Sequence, residues 1–188
     1  MALGRWMMGG LLLASLGLSG PLRAEPATQA TPTPEAKTAP LFTLKDLKGK
    51  SRSLKAEQGK VVLVNFWTTW CGPCRYELPK LQEIYSKLKA ENVTFFVVSV
   101  DDAETVSKVK PFVTEKKFEF PILLDTDAAV VSKYNEDGII PFTVIIDHQG
   151  KIRHVHSGYN PGDEVVVEQE LRTLLKALPP KSSGKAGK

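Results

Sequence analysis

Short apolar runs alternate along the chain with segments whose apolar residues recur every three or four positions. The runs 61–67, 93–100 and 142–147 predict strands, and the second of them fits a strand buried on both faces. Periodic apolar residues predict helices over 72–90 and 163–178. The apolar stripe of the last helix comprises Val166, Val167, Leu171, Leu174, Leu175 and Leu178. This order of elements predicts an α/β fold with a mixed central sheet flanked by helices.

Shorter segments complete the predicted fold. Residues 42–54 surround a Lys-Gly-Lys turn and predict an N-terminal β-hairpin. Two aspartates at 101–102 predict the start of a helix that reaches residue 117, with Pro111 interrupting it. A strand at 120–124 and a short helix at 127–134 form a central insertion, and residues 142–157 predict a second hairpin. Pro79 lies inside the first helix, where we expect a kink.

The two ends of the chain differ in composition from its middle. Residues 1–24 combine Arg5, the apolar run Trp6–Leu18 and an imperfect cleavage site at Leu22–Ala24, which predicts a signal peptide. The apolar run is short for a membrane span, so cleavage is favoured, with an uncleaved N-terminal anchor as the alternative. Residues 25–40 are a Pro/Thr/Ala-rich linker, 41–178 the globular domain and 179–188 a solvated tail. Either fate places the domain outside the cytoplasm, where a stable disulfide can form.

The formal charge of +4 comes from these ends. Six of the 25 basic residues and two of the 21 acidic residues lie in the predicted termini, which leaves nineteen of each in the domain. A domain without net charge has no electrostatic footprint for nucleic acid. The sequence therefore predicts no nucleic-acid partner.

The chain has two cysteines, Cys71 and Cys74, and both lie where the first long strand passes into the first helix. A helix N-terminus carries partial positive charge and free N–H groups, so it stabilises a thiolate over a thiol. Only the thiolate attacks disulfides. We therefore expect Cys71 to be an exposed nucleophile and Cys74 a more buried thiol that resolves the mixed disulfide.

Two other roles of the cysteine pair have less support from the sequence. A structural disulfide closing so short a loop would stabilise the fold by only about 2 kcal/mol in the chain-entropy description. A structural zinc site needs four ligands, and the sequence has no second cysteine pair. The placement of the cysteines favours thiol–disulfide exchange.

The residues around the cysteines also carry a family resemblance. Trp70-Cys71-Gly72-Pro73-Cys74 after a strand, followed by Pro79, resembles the active site of a thioredoxin fold, and Ile139–Thr143 is similar to the cis-proline loop of that fold. Glu77-Leu78-Pro79, Asn65 and the N-terminal apolar segment resemble the TlpA/ResA-like branch of extracytoplasmic thioredoxin-like proteins. The similarity covers about residues 41–178.

The resemblance implies roles for individual residues. Glu77 lies three residues after Cys74 on the same side of the helix, and in this branch a glutamate here accepts the proton of the second cysteine. Thioredoxin instead uses an aspartate at the position of Asn65, which cannot accept a proton. Pro141 is expected to be cis, with the backbone of Ile140 binding substrate. Trp70 is expected beside Cys71 on the surface, Gly72 and Pro73 shape the turn, and the central insertion shapes the substrate surface.

The expected function is a thiol–disulfide oxidoreductase that reduces exported proteins, in cytochrome c maturation or a similar task. A membrane thiol carrier is the implied electron donor, because no nucleotide- or flavin-binding signature occurs and no cofactor beyond the redox disulfide is expected. A disulfide-forming oxidant of the same fold is the main alternative. A peroxiredoxin, suggested by Thr68 three residues before Cys71, and a copper chaperone, suggested by His154 and His156, are less favoured. We expect these two histidines to face solvent.

Overall fold

The predicted strands pair into one seven-stranded sheet. The computed structural model describes residues 36–179, which include seven strands and three α-helices. The strands are β1 (Thr43–Asp46), β2 (Ser51–Ser53), β3 (Val61–Trp67), β4 (Val93–Ser99), β5 (Ile122–Leu124), β6 (Phe142–Ile146) and β7 (Ile152–Ser157). The helices are α1 (Gly72–Leu88), α2 (Val109–Lys116) and α3 (Asp163–Lys176). The strand order is β2-β1-β5-β4-β3-β6-β7.

Strand β3 leads into the turn that carries the two cysteines. It pairs in parallel with β4 and antiparallel with β6, and all seven of its residues are buried. Burial on both faces explains why the β3 sequence is a continuous apolar run broken only by Asn65. The mixed sheet predicted from the sequence is confirmed.

Each face of the sheet carries its own apolar core. Residues of α1, α2 and α3 cover one face, where Leu78, Leu81 and Leu171 are completely buried. Burying one leucine side chain contributes roughly 1.5–3 kcal/mol, so this packing fixes α1 firmly against β3. On the other face, Phe66 and Val64 pack against Phe42 of the N-terminal segment.

Two predicted helices differ from the structure. Residues 101–105 are not helical: a 3-10 turn at Val106–Lys108 precedes α2, and Pro111 lies in the first turn of α2, where a missing N–H breaks no helical bond. Residues 127–134 contain only the 3-10 turn Val131–Lys133. In α3, Val166 is exposed rather than part of the apolar stripe, because one helix turn cannot direct both Val166 and the buried Val167 at the sheet.

The end of the predicted linker contacts the domain. The carbonyl of Lys37 accepts a hydrogen bond from Ile152, Ala39 donates one to Gly150, and Ala39 is buried. The expected boundary at residue 41 thus falls within these contacts. The predicted targeting segment, the linker up to residue 35 and the tail from residue 180 lie outside the described residues. Within residues 36–179, no helix is long and apolar enough to cross a membrane.

Candidate active site

Cys71 and Cys74 form a disulfide at the N-terminus of α1. Cys71 is the N-cap residue, and its sulfur accepts a hydrogen bond of 3.2 Å from the backbone N–H of Cys74. The S–S distance is 1.98 Å. One free N–H group of this helix end, that of Cys74, thus points at the sulfur that the sequence predicts to be the nucleophile.

The relative exposure of the two cysteines agrees with the expectation, but Cys71 is less exposed than expected. Cys71 is 5% exposed and Cys74 is completely buried. In the disulfide, the Cys71 sulfur is bonded inward to Cys74 and held by the helix N–H, which keeps it from solvent.

Glu77 is buried one turn after Cys74 and is 4% exposed. Its carboxylate accepts hydrogen bonds of 2.9 Å from the Asn65 amide and 3.2 Å from the Thr143 hydroxyl. Burial raises the pKa of Glu77 to about 7, because the loss of water outweighs the opposing effect of these hydrogen bonds. A carboxyl group in this state exchanges protons near neutral pH, which is what a proton acceptor for Cys74 requires.

Asn65 forms hydrogen bonds with both Glu77 and Thr143. Its amide nitrogen donates to Glu77 and, over 2.8 Å, to Thr143, while its oxygen Oδ1 has no partner among the described residues. A 180° rotation of the amide would present this oxygen to Glu77. The side chain can thus donate to the carboxylate or accept from the protonated carboxyl, so Asn65 suits either state of Glu77.

Asp101 holds the loop before Cys71, a role that sequence reasoning missed. It is completely buried and accepts hydrogen bonds of 2.9 Å from the backbone N–H of Thr69, 2.6 Å from the Thr69 hydroxyl and 3.0 Å from the Ser99 hydroxyl. Its position directly after a buried parallel strand could have indicated this role, because polar side chains gather at the carboxyl edge of such a sheet. Asp101 ties the end of β4 to the turn that presents Trp70 and Cys71.

The predicted proline loop lies beside the redox pair. The Ile140–Pro141 peptide bond is cis, as expected, and Pro141 is buried. The flanking backbone is held by Asn135, which binds the carbonyl of Ile139, while within residues 36–179 no hydrogen bond involves the N–H or C=O of Ile140. Those two groups are therefore available to an extended peptide.

Two clefts flank the disulfide. One, of about 270 Å³, brings Trp70 and Ile140 together with Val131 of the central insertion and with Asn135, which follows it. The other, of about 400 Å³, is lined by Gly72, Pro73, Tyr76, Tyr159 and Pro161. Trp70 is 67% exposed, as expected, whereas Trp67 is buried in the core. The structure thus gathers the expected substrate-contacting residues around Cys71.

His154 and His156 do not face solvent as expected. They share one face of β7, and both bind Glu170 of α3, through His154 Nδ1 at 2.9 Å and His156 Nε2 at 2.7 Å. The prediction was wrong because strand alternation fixes which side chains share a face but not whether a helix covers that face. The described residues contain no group of three or more His, Cys, Asp or Glu that could hold a metal ion.

Arg75 lies next to the pair but contacts another group. Its guanidinium lies 5.5 Å from the centre of the Phe112 ring, and the side chain is otherwise exposed. This contact attaches the start of α1 to α2.

Comparison with known proteins agrees with this geometry. The Redoxin family model matches residues 34–174. The thiol-disulfide oxidoreductase ResA of Geobacillus thermodenitrificans (strain NG80-2) is 32% identical over 170 residues, which cover 90% of this chain and 91% of ResA.

Solved structures resemble the described domain as well. A thiol:disulfide interchange protein of the thioredoxin family from Chlorobium tepidum TLS superimposes with a TM-score of 0.64 and 26% identity, covering 74% of this chain and 97% of that one. A secreted Mycobacterium tuberculosis disulfide oxidoreductase, homologous to E. coli DsbE, gives a TM-score of 0.61 and 25% identity, covering 71% and 96%. The chain therefore belongs to the Redoxin family and is a ResA-like thiol–disulfide oxidoreductase with a thioredoxin fold.

Proposed function

We propose that this oxidoreductase works outside the cytoplasm and reduces disulfide bonds in exported proteins. The observation that carries the proposal is Glu77, a buried carboxyl with a pKa near 7 that lies one helix turn after Cys74. Reduction of a target requires Cys74 to lose a proton inside the protein, and Glu77 is the ionisable group placed to take it.

The reaction proceeds in two exchanges. The Cys71 thiolate attacks one sulfur of the target disulfide, forms a mixed disulfide and releases the other target sulfur as a thiolate. Glu77 then takes the proton of Cys74, and the Cys74 thiolate attacks the Cys71 sulfur. The Cys71–Cys74 disulfide forms, the second target thiolate leaves, and the target has gained two electrons.

Substrate binding uses the surface around Cys71. The free N–H and C=O of Ile140 would pair with an extended segment of the target, as an added strand does. The exposed ring of Trp70 and the two flanking clefts would contact the residues on either side of the target cysteine. The site therefore suits a polypeptide disulfide better than a small molecule.

The proposed location rests on the N-terminal segment and on the relatives. Residues 1–24 have the pattern of a signal peptide or anchor, and one similar solved protein is a secreted disulfide oxidoreductase. A reporter enzyme that is active only outside the cytoplasm, fused after residue 188, should be active. The same fusion without residues 1–24 is the control and should be inactive. Equal activity of the two fusions would contradict the proposed route of export.

The direction of electron flow is tested by the reduction potential of the Cys71–Cys74 pair. The full chain would be equilibrated with thiol buffers while the fluorescence of the neighbouring Trp70 is followed. A potential near about −270 mV, that of thioredoxin, supports a reductase fed by a membrane thiol carrier. A potential near about −120 mV, that of DsbA, would instead make the protein an oxidant. Cytochrome c maturation is the reductive task that the family resemblance suggests.

A further inference from the structure

A row of three polar side chains crosses the sheet beneath α1. Asn65 of β3 pairs in register with Thr143 of β6, and Thr143 pairs with His156 of β7. Side chains directly opposite each other on neighbouring strands lie about 4.5–5.5 Å apart at their Cβ atoms. The polar row therefore leads from the centre of the sheet, where Glu77 binds Asn65 and Thr143, to His156 near its edge.

A single carboxylate holds His156 in place. Glu170 of α3 accepts from His156 at one oxygen, over 2.7 Å, and contacts His154 at the other, over 2.9 Å. The exposed fractions of the side chains rise from 18% for Glu170 to 22% for His156 and 35% for His154. The cluster is thus half-buried.

Charged groups approach Glu77 from three elements. On α1 its neighbour is the Cys71–Cys74 pair, and from β7 positive His156 lowers the pKa of Glu77. From the start of α3, negative Asp163 raises this pKa, and Tyr159 in the preceding loop is within electrostatic range. Asn65 and Thr143, on β3 and β6, are neutral. Of these charged groups, His156 is the one that favours the Glu77 carboxylate.

We propose that His156, clamped by Glu170, is a positioning residue for the resolving step: its positive charge favours the Glu77 carboxylate that must accept the proton of Cys74. In this step Cys74 passes its proton to Glu77, the Cys74 thiolate attacks the mixed disulfide, and the Glu77 carboxyl later releases the proton to water. The inference rests on the proposed role of Glu77 and adds to it a neighbouring group that favours the Glu77 carboxylate.

The test separates the two exchanges. Reduced full-length protein is mixed with dithiobis(nitrobenzoate), whose coloured thiolate is released once when Cys71 attacks and once when Cys74 resolves. The rate of the second release is measured from about pH 5 to about pH 9, on both sides of the raised pKa of Glu77. His156→Gln should slow the second release at least roughly threefold at about pH 6 and move its profile to higher pH, with the first release unchanged.

Further variants distinguish charge from structure. Glu170→Gln should act in the same direction as His156→Gln, because the imidazole loses its carboxylate partner. His156→Lys restores a positive charge and should recover the wild-type rate at low pH, which a purely structural role of His156 would not predict. Glu168→Gln is the matched control, since Glu168 lies on the same helix in ion pairs with Lys87 and Arg172. It should leave both releases unchanged.

Glu77→Gln separates this inference from the proposed function. If the second release in Glu77→Gln keeps the wild-type pH profile, Glu77 is not the proton acceptor and the proposed mechanism fails. If that profile is lost in Glu77→Gln but His156→Gln matches Glu168→Gln, only the role of His156 is overturned. Should His156→Gln fail to fold, the comparison of Glu170→Gln with Glu168→Gln decides the question in the same way.

Discussion

Replacing Glu77 with glutamine should make the stability of the oxidised protein less dependent on pH. Glutamine keeps the size of the side chain and an oxygen that accepts from Asn65, but it cannot ionise. In the wild type, the folded protein holds the Glu77 proton more tightly than the unfolded chain does, since burial raises the pKa from 4.5 to about 7. The contribution of protonated Glu77 to the free energy of unfolding is therefore fully present below about pH 4.5, and it is lost as the pH rises through about 7.

The size of the effect follows from the shift. Each pKa unit corresponds to about 1.4 kcal/mol, so the full shift amounts to about 3 kcal/mol of unfolding free energy. Between about pH 5 and about pH 8, the wild type should lose about 2.5 kcal/mol through Glu77. Glu77→Gln cannot ionise at this position and does not lose this stability. Its unfolding free energy relative to that of the wild type should therefore rise by the same amount across this interval.

Urea unfolding of the two oxidised proteins at several pH values measures this difference. Other groups that titrate in this range are present in both proteins, so their contributions cancel in the comparison. Glu83→Gln is the control on the same helix, because Glu83 is an exposed residue paired with Lys80. If the curves of wild type and Glu77→Gln run parallel from about pH 5 to about pH 8, Glu77 does not hold a raised pKa and the proton-transfer argument fails with it.

Three further predictions concern other parts of the site and core. Asp101→Asn should lower the unfolding free energy by roughly 1.5–3 kcal/mol in urea titrations, because a buried carboxylate loses charge-assisted hydrogen bonds to Thr69. Trp70→Ala should leave stability within about 0.5 kcal/mol while reducing turnover of a protein disulfide more than that of a small disulfide, since the ring is exposed beside Cys71; equal losses would argue against a docking role. Leu81→Ala should cost about 2–5 kcal/mol, because the side chain is completely buried between α1 and the sheet.

Local sequence patterns were sufficient for the elements next to the redox pair. The apolar run of β3, the helical period of α1 and the Cys-Gly-Pro-Cys turn are each set by neighbouring residues, and the structure has them within two residues of their predicted bounds. The cis peptide before Pro141 was expected from resemblance, since nothing in the local pattern distinguishes it from a trans bond. Residues 101–117 and 127–134 were less predictable because short helical patterns compete with turns that tertiary contacts stabilise.

Asp101 shows why side-chain roles were harder to predict. Its position in the sequence fits the first turn of a helix, yet its carboxylate binds Thr69, which lies 32 positions away. His154 and His156 were placed on one face of β7 by alternation, but the helix that covers them comes from the packing of α3. Contacts of this kind depend on which elements meet, and periodicity within one element carries no information about that.

The local sequence determines that two cysteines lie at a helix N-terminus after a buried strand, and this placement favours thiol–disulfide exchange. Whether Glu77 is a solvated surface residue or a proton acceptor depends on the burial created when α1 packs on β3 and β6. That packing places Asn65 and Thr143 against its carboxylate and removes water, which raises its pKa to about 7. A proton affinity depends on surroundings in three dimensions, so it is the folded sheet and helices together that raise the pKa of this glutamate.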